Sequence, residues 1–444
     1  MTEIVRLGKC VSFVRHEGKV YAYNALNGGL CELEQAVYES MAKQDFDGVK
    51  SSNLSAYNDL MKTFYIVPDG FDEVSYTRLM TWKAKLAGDI LSLTIAPTLD
   101  CNFRCFYCYQ QNYKEPQYMT KETADKLVEF TKERIRPSGR VSISWYGGEP
   151  LLALNTIEYI SKELQKALGE EETEGKTNQK LRASIVTNGY LLDERNAEIL
   201  SKECHVTSLH VTLDGPKDIH DRRRPYKGGS SSFDAIMGNL KSNAHFFERV
   251  YIRINVDKTN QPFLSDLLKG LKDMSGNVQP YLAPVHTDNV QDAGFAKGCY
   301  DSKDFGLEVE SKPELADLLM YPQPTYGVCG AVRDNSFCID PEGYLYKCWN
   351  EVGQRKQSIG SVVDGITNYE RYLKWMSFDP TDYHDCRECG ILPICNAGNC
   401  PDRVLFPEEA GTVKACIPEK WMLEKSLLSY IEGRARSPES DVTK

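Results

Sequence analysis

The chain has 444 residues, 41% hydrophobic and 26% charged, with a formal net charge of -10. That length allows two to four domains of roughly 100 to 200 residues. It contains no run of the roughly 20 apolar residues a membrane span needs, and its charge repels a phosphate backbone, so neither membrane nor nucleic acid is an expected partner. The N-terminal MTEIVRLGKCVSF lacks a signal peptide's apolar stretch and cleavage site, which gives a cytoplasmic expectation. In that setting fifteen cysteines, an odd number, read as metal or cluster ligands rather than disulfides.

In chain order, VSFVRH and KVYAYNAL alternate around Glu17-Gly18 and predict a β-hairpin. CELEQAVYESMAKQ places Leu33, Val37 and Met41 at helical spacing, and SAYNDLMKTFYIV predicts a helix running into a short strand. This order resembles a winged-helix module. From about 90 to 290 strands alternate with amphipathic segments: DILSLTIAPT, RVSISWYGGEP, LRASIVTNG, VTSLHVTLDG, VYIRINVD and VQPYLAPV. Nearly continuous apolar strands imply a parallel sheet covered by helices. Periodicity fits either a doubly wound sheet or an incomplete barrel; the expected fold is a partial (β/α)6 TIM-type barrel in an α/β chain. GEEETEGKTNQK reads as a solvated loop, and the tail ARSPESDVTK as disordered. The expected domains are 1–85, 86–310, a Cys-rich 311–425, and a helix end with tail over 426–444.

Cys101, Cys105 and Cys108 follow the first of these strands. Thiolates are the ligands of iron-sulfur clusters, and three on one loop can hold three irons of a cubane while leaving the fourth open. At the carboxyl end of a strand they stand where such folds bind ligands. Zinc with a fourth ligand elsewhere, or three buried thiols, are the alternatives. The run Cys101-NFR-Cys105-Phe106-Tyr107-Cys108, with Tyr107 at the aromatic place, resembles the signature of the radical S-adenosylmethionine (SAM) superfamily. Gly147-Gly148-Glu149-Pro150 is similar to that family's GGEP motif, which receives the SAM amino group. The resemblance also implies a hydroxyl and an arginine for the SAM carboxylate: Thr212, where the family usually has Ser, with Arg224 or Arg253.

Eight further cysteines crowd positions 329 to 416. Thirteen residues separate Cys329 from Gly343 and four separate Gly343 from Cys348; then come Cys386-RE-Cys389-GILPI-Cys395-NAGN-Cys400, and Cys416. This resembles the SPASM extension, C-x9-15-G-x4-C then C-x2-C-x5-C-x3-C then C, departing in the four residues between Cys395 and Cys400. The resemblance implies two auxiliary [4Fe-4S] clusters, three clusters in all: one on Cys329, Cys348 and Cys400, the other on Cys386, Cys389, Cys395 and Cys416. The first lacks one protein ligand, which Cys338 would supply; alternatively that iron is open and could bind a substrate thiolate, and Cys338 is a small buried core residue. A zinc ribbon also uses paired C-x2-C spacing.

SPASM enzymes mostly act on peptides or proteins, and residues 1 to 85 resemble the recognition element of peptide maturases, which binds a leader peptide as an added strand. Residues 1 to 80 carry eight Lys or Arg against eleven Asp or Glu, so they lack a DNA-binding footprint. The expected activity is hydrogen abstraction from a ribosomal precursor peptide by a 5'-deoxyadenosyl radical, closing a thioether or carbon-carbon crosslink. A one-electron reductant such as flavodoxin or ferredoxin is the second expected partner. The alternatives are a sulfatase-maturase-like dehydrogenase and a peptide epimerase. In the former an Asp follows the second SPASM cysteine, whereas here Trp349-Asn350-Glu351 follow Cys348.

Overall fold

The computed structural model describes residues 4–110, 116–135, 139–169, 180–285, 297–325, 329–395, 400–406 and 416–433. Most of the expected solvated loop and the whole expected disordered tail lie outside these residues. The chain forms two compact units: Met1–Lys85 with Asp301–Cys329 and Phe378–Lys444, and Leu86–Tyr300 with Gly330–Ser377.

The first unit opens with β1 (Val5–Leu7), β2 (Val11–His16), β3 (Lys19–Asn24) and β4 (Gly29–Leu33), and β5 (Ile66–Pro68) follows three helices. β2, β3 and β4 form an antiparallel sheet, while β1 pairs with β5. Glu17 and Gly18 form the tight hairpin turn, with His16 opposite Lys19 and φ of 48° and 79°. Two left-handed residues match the twist of a two-residue hairpin. Val37 and Met41 are buried on the helix Gln35–Ala42, whereas Leu33 ends β4 rather than starting that helix. The sheet separates two cores. On one side Ala22 packs with Val37, Met41, Val49 and Ile66. On the other, Cys10, Val14, Tyr23 and Leu26 pack with Tyr321, Ile391, Ile394 and Leu427 from far along the chain. The N-terminal residues and the Cys386–Cys395 segment therefore share one core, and the helix Glu73–Lys85 adds an ion pair from Arg78 to Asp379 at 3.3 Å.

The second unit contains all six expected strands: β6 (Ile90–Ile95), β7 (Arg140–Trp145), β8 (Leu181–Thr187), β9 (Val206–Thr212), β10 (Arg249–Val256) and β11 (Val278–Pro284). They lie side by side in sequence order and all run parallel, with helices in the crossovers. Four later strands extend the sheet beyond β6: β12 (Ser336–Ile339), parallel to it, then β13 (Tyr344–Tyr346), β14 (Gly360–Ser361) and β15 (Gly365–Ile366), antiparallel. The result is an α/β unit with a large, mostly parallel central sheet.

The strands are less uniformly apolar than expected. Leu91, Leu93, Val141, Ile143, Ile185, Leu209, Val211, Ile252 and Ile254 are buried, while the alternating Ser92, Ser144, Ser184, Ser208, His210, Tyr251 and Arg253 are partly exposed. Successive side chains of a strand point to opposite faces. The sheet therefore has one apolar face and one polar face that keeps contact with solvent.

Candidate active site

The loop carrying Cys101, Cys105 and Cys108 leaves β6 and is fixed by side-chain-to-backbone hydrogen bonds at its start. Thr98 Oγ1 donates to the Gln117 carbonyl at 2.6 Å and accepts from the Asp100 amide at 3.0 Å, and Asp100 Oδ1 accepts from the Cys101 amide at 2.8 Å. On its far side the loop pairs with the segment after the helix Lys217–Arg223: the Arg104 amide donates to the Pro225 carbonyl at 2.9 Å and the Lys227 amide to Asn102 at 2.8 Å. Cys101 and Cys105 are buried, and Cys108 is half-buried.

Gly147 and Gly148 lie directly beneath this loop. Gly147 has φ of 117°, and a Cβ at Gly148 would stand 2.0 Å from the Asp100 carbonyl oxygen. The missing side chains let two amides reach the loop, Gly148 to Thr98 at 3.1 Å and Glu149 to Asp100 at 2.8 Å. The Glu149 carboxylate is fully buried. It accepts from the Leu151 amide at 3.0 Å, Thr187 Oγ1 at 2.7 Å and the Asn188 amide at 2.7 Å. Burial raises its pKa against these hydrogen bonds. Asn188 in turn donates to Asn102 at 2.6 Å. Within this structure the carboxylate thus ties the GGEP turn to the end of β8, and Pro150 starts a short helix.

The Tyr107 hydroxyl donates to Asp214 at 2.6 Å and accepts from Arg224 at 2.8 Å and Asn255 at 3.1 Å. Burial raises the phenol's pKa well above its usual value. Burial opposes the charge on Arg224, yet Cys105, Tyr107 and Asp214 around it hold its pKa well above the usual range. Arg223 bridges Asp214 at 3.2 Å and Asp257 at 2.7 Å, with all three side chains buried. Thr212 ends β9 opposite Arg253, whose Nε donates to Asn255 at 2.9 Å.

Tyr109 and Tyr146 share a 2.6 Å hydrogen bond, and Trp349 stacks on Tyr146 at 5.6 Å. Burial pushes Tyr146 up to about 12, with Cys108 and Cys348 both contributing. Cys348 therefore approaches the same tyrosine pair as Cys108. Cys338 lies on β12 in an apolar cluster with Ala96, Leu99, Tyr346 and Val352, the surroundings of a core thiol. In the first unit, burial and then Cys389, Cys386 and Cys416 push the Cys395 thiol up to about 12, so these four cysteines are neighbours. Cys329 and Cys400 also belong to the first unit. Among the described residues no three His, Cys, Asp or Glu side chains are already closed into a metal cage.

Sequence reasoning passed over Asp214, Asn255, Asn188, Asn102, Tyr109 and Tyr146 as functional residues. The first three stand at or just after the carboxyl ends of β9, β10 and β8, the position where this class of sheet gathers ligands; that positional rule could have found them.

The site has the donors a cluster with SAM requires. Buried sulfur atoms stand beside a buried cation, and the buried donors Asn102 Nδ2 and Arg224 Nε have no partner among the described residues. Such donors suit an anionic group. Residues 95–258 match the Radical SAM superfamily model. Residues 95–258 thus form a radical SAM domain and the chain is an enzyme; members of that superfamily use SAM and a [4Fe-4S] cluster.

Among curated proteins the chain is similar to the radical SAM cyclopropyl synthase TigE of Paramaledivibacter caminithermalis, 22% identical over 436 residues and 88% of each chain. It is also similar to the cysteine-type anaerobic sulfatase-maturating enzyme of Clostridium perfringens, 30% identical over 175 residues, 37% of this chain and 43% of that one. Among solved structures, anSMEcpe with bound AdoMet and Cp18Cys peptide matches with a TM-score of 0.58 at 20% identity, over 78% of this chain and 98% of that one. The last shows the shared fold. No helix among the described residues is long and apolar enough to cross a membrane.

Proposed function

We propose that this chain is a peptide maturase that abstracts hydrogen from a residue of a ribosomal precursor peptide and closes a crosslink. The observation that carries the reading is the similarity to a cyclopropyl synthase over 88% of both chains, across both compact units. A cyclopropane closes by forming a carbon-carbon bond, which favours that arm over a thioether.

Cys101, Cys105 and Cys108 would hold the SAM-binding cluster. The Gly147-Gly148 backbone would receive the SAM amino group, and Thr212 with Arg224 or Arg253 its carboxylate. When bound, the cluster and SAM supply a 5'-deoxyadenosyl radical able to take a hydrogen atom from carbon. The protein then has to orient the substrate and shield the radical from water. Tyr107, Asn255 and Arg253 would orient the bound groups, and the polar row His210, Tyr251 and Ser208 would line the substrate's approach. The ligand cage closes as the cluster binds, since preformed metal sites are uncommon. Cys386, Cys389, Cys395 and Cys416 would hold one auxiliary [4Fe-4S] cluster, while the apolar surroundings of Cys338 favour its role as a core thiol. The edge of the hairpin sheet β2–β4 would take the leader peptide as an added strand, and flavodoxin or ferredoxin would supply electrons.

The sulfatase-maturase reading is favoured by the 30% identity over 175 residues, but the carboxylate nearest Cys348 is committed elsewhere. Glu351 is buried, paired with Arg371 and hydrogen-bonded to the Cys348 amide at 3.3 Å. A base held in this way is poorly placed to take a substrate proton. The test is anaerobic turnover of the reduced, reconstituted full chain with SAM and a precursor peptide, followed by mass spectrometry. Formation of 5'-deoxyadenosine with loss of two hydrogens and a crosslinked fragment supports the proposal. An oxidised side chain without a crosslink supports the maturase-like dehydrogenase, and solvent deuterium at a Cα with no mass loss supports an epimerase.

A further inference from the structure

The Cys101–Cys108 loop is held through a buried polar hub. A phenol has one proton to donate and two lone pairs. The Tyr107 hydroxyl uses all three: it donates to Asp214 at 2.6 Å and accepts from Arg224 at 2.8 Å and Asn255 at 3.1 Å. Asp214 decides where that proton points. Its carboxylate is wholly buried and anchored by Arg223, which reaches on to Asp257. The Asp214 amide donates to His220 at 3.3 Å, and its carbonyl accepts from Asn260 at 2.6 Å. The residue is therefore fixed at backbone and side chain alike.

With the Tyr107 proton directed at Asp214, the oxygen lone pairs face Arg224 and hold its guanidinium. Arg224 lies against the cysteine loop, since the Arg104 amide donates to the Pro225 carbonyl at 2.9 Å and the Phe106 amide to the Arg223 carbonyl at 3.4 Å. The Arg224 Nε is a buried donor with no partner among the described residues. A cation held there does two things: it leaves a donor for an anion, and it places positive charge beside a cluster whose potential depends on nearby charge and hydrogen bonds.

We propose that Asp214 is a positioning residue of the cofactor site, which through the Tyr107 hydroxyl holds Arg224 ready for the SAM carboxylate and fixes its charge beside the cluster. This rests on the cofactor site described above. Asp214 touches neither cluster nor SAM in this scheme; it acts through Tyr107.

The test uses the full reconstituted chain and two readouts besides turnover: SAM affinity, from the change SAM causes in the reduced cluster's paramagnetic resonance, and the midpoint potential of that SAM-responsive signal. Tyr107→Phe and Asp214→Ala should each weaken SAM binding about tenfold, the scale of one charge-assisted hydrogen bond, and each should lower the potential. The double variant should be no weaker than either single, because both remove one linkage. Asp214→Asn, which keeps an acceptor for the phenol, should stay within about twofold of wild type. Wild-type affinity in Asp214→Ala, or a double variant about a hundredfold weaker, overturns the proposal. If Asp214→Ala loses its iron, Asp214→Val, closer in shape and without an acceptor, is judged by the same criteria. A wild-type signal that SAM does not change refutes the cofactor reading instead.

Discussion

Gly148→Ala places the largest demand on the contact between the GGEP turn and the cysteine loop. The new Cβ would stand 2.0 Å from the Asp100 carbonyl oxygen and 2.6 Å from both the Asp100 carbon and the Leu99 oxygen. All three are backbone atoms, so no side chain can swing aside. The loop must retreat by about 1 Å, which overstretches the bonds from Glu149 to Asp100 at 2.8 Å and from Gly148 to Thr98 at 3.1 Å. Overpacking costs about 1–3 kcal/mol, and two strained hydrogen bonds add about 0.5–1.5 kcal/mol each. The expected loss is therefore about 2–6 kcal/mol. Cys101 follows Asp100 directly, so its sulfur shifts with the loop, and iron should be lost from this site before the C-terminal cysteines lose theirs. Urea unfolding of the metal-free chain gives the stability, and iron analysis with resonance spectroscopy of the reconstituted chain gives the loading. Gly270→Ala is the control: it lies in a helix with no atom within 4 Å of its Cβ and should be neutral or stabilising by about 0.4–1 kcal/mol. A Gly148→Ala chain with wild-type midpoint and a full SAM-responsive signal would refute the reasoning.

Other measurements probe the surroundings. Arg223→Met leaves Asp214 and Asp257 buried without their shared cation and should cost about 3–5 kcal/mol in urea unfolding; a loss under about 1 kcal/mol would contradict the bridge. His220 is fully buried, and its pKa is pushed down to about 4, first by burial and then by Arg224. The unfolded imidazole titrates near 6.5, so the unfolded chain binds the extra proton on acidification. Stability present at pH 7 should fall from about pH 6.5 to 4, by up to about 3 kcal/mol, and the urea midpoint of His220→Gln should fall less steeply over that window. Leu26 is 1% exposed in the core shared with Ile391 and Ile394, so Leu26→Ala should cost about 2–5 kcal/mol. It should also reduce iron retention by Cys386, Cys389, Cys395 and Cys416; unchanged retention would argue against the shared core as their support.

Local pattern determined much of this protein. The six parallel strands, the hairpin at Glu17-Gly18 and the cysteine loop after β6 are set by neighbours in sequence: alternation, glycine and spacing make them legible without coordinates. The family signature at Cys101 to Cys108 was equally local, because its three cysteines stand on one loop within eight residues. Tertiary structure alone decided the rest. The close approach of Gly148 to Asp100, the committed Glu149 carboxylate and the Tyr107–Asp214–Arg224 hub join residues 38 to 117 positions apart, and no periodicity encodes such pairings. The polar face of the sheet was hidden because Ser, Tyr and His sit within otherwise apolar strands and look tolerable on a buried face. The joining of residues 1–85 to the Cys386–Cys395 segment was also unreadable. A sheet with apolar residues on both faces needs a second core, and which distant segment fills it depends on packing that the chain reaches only once folded.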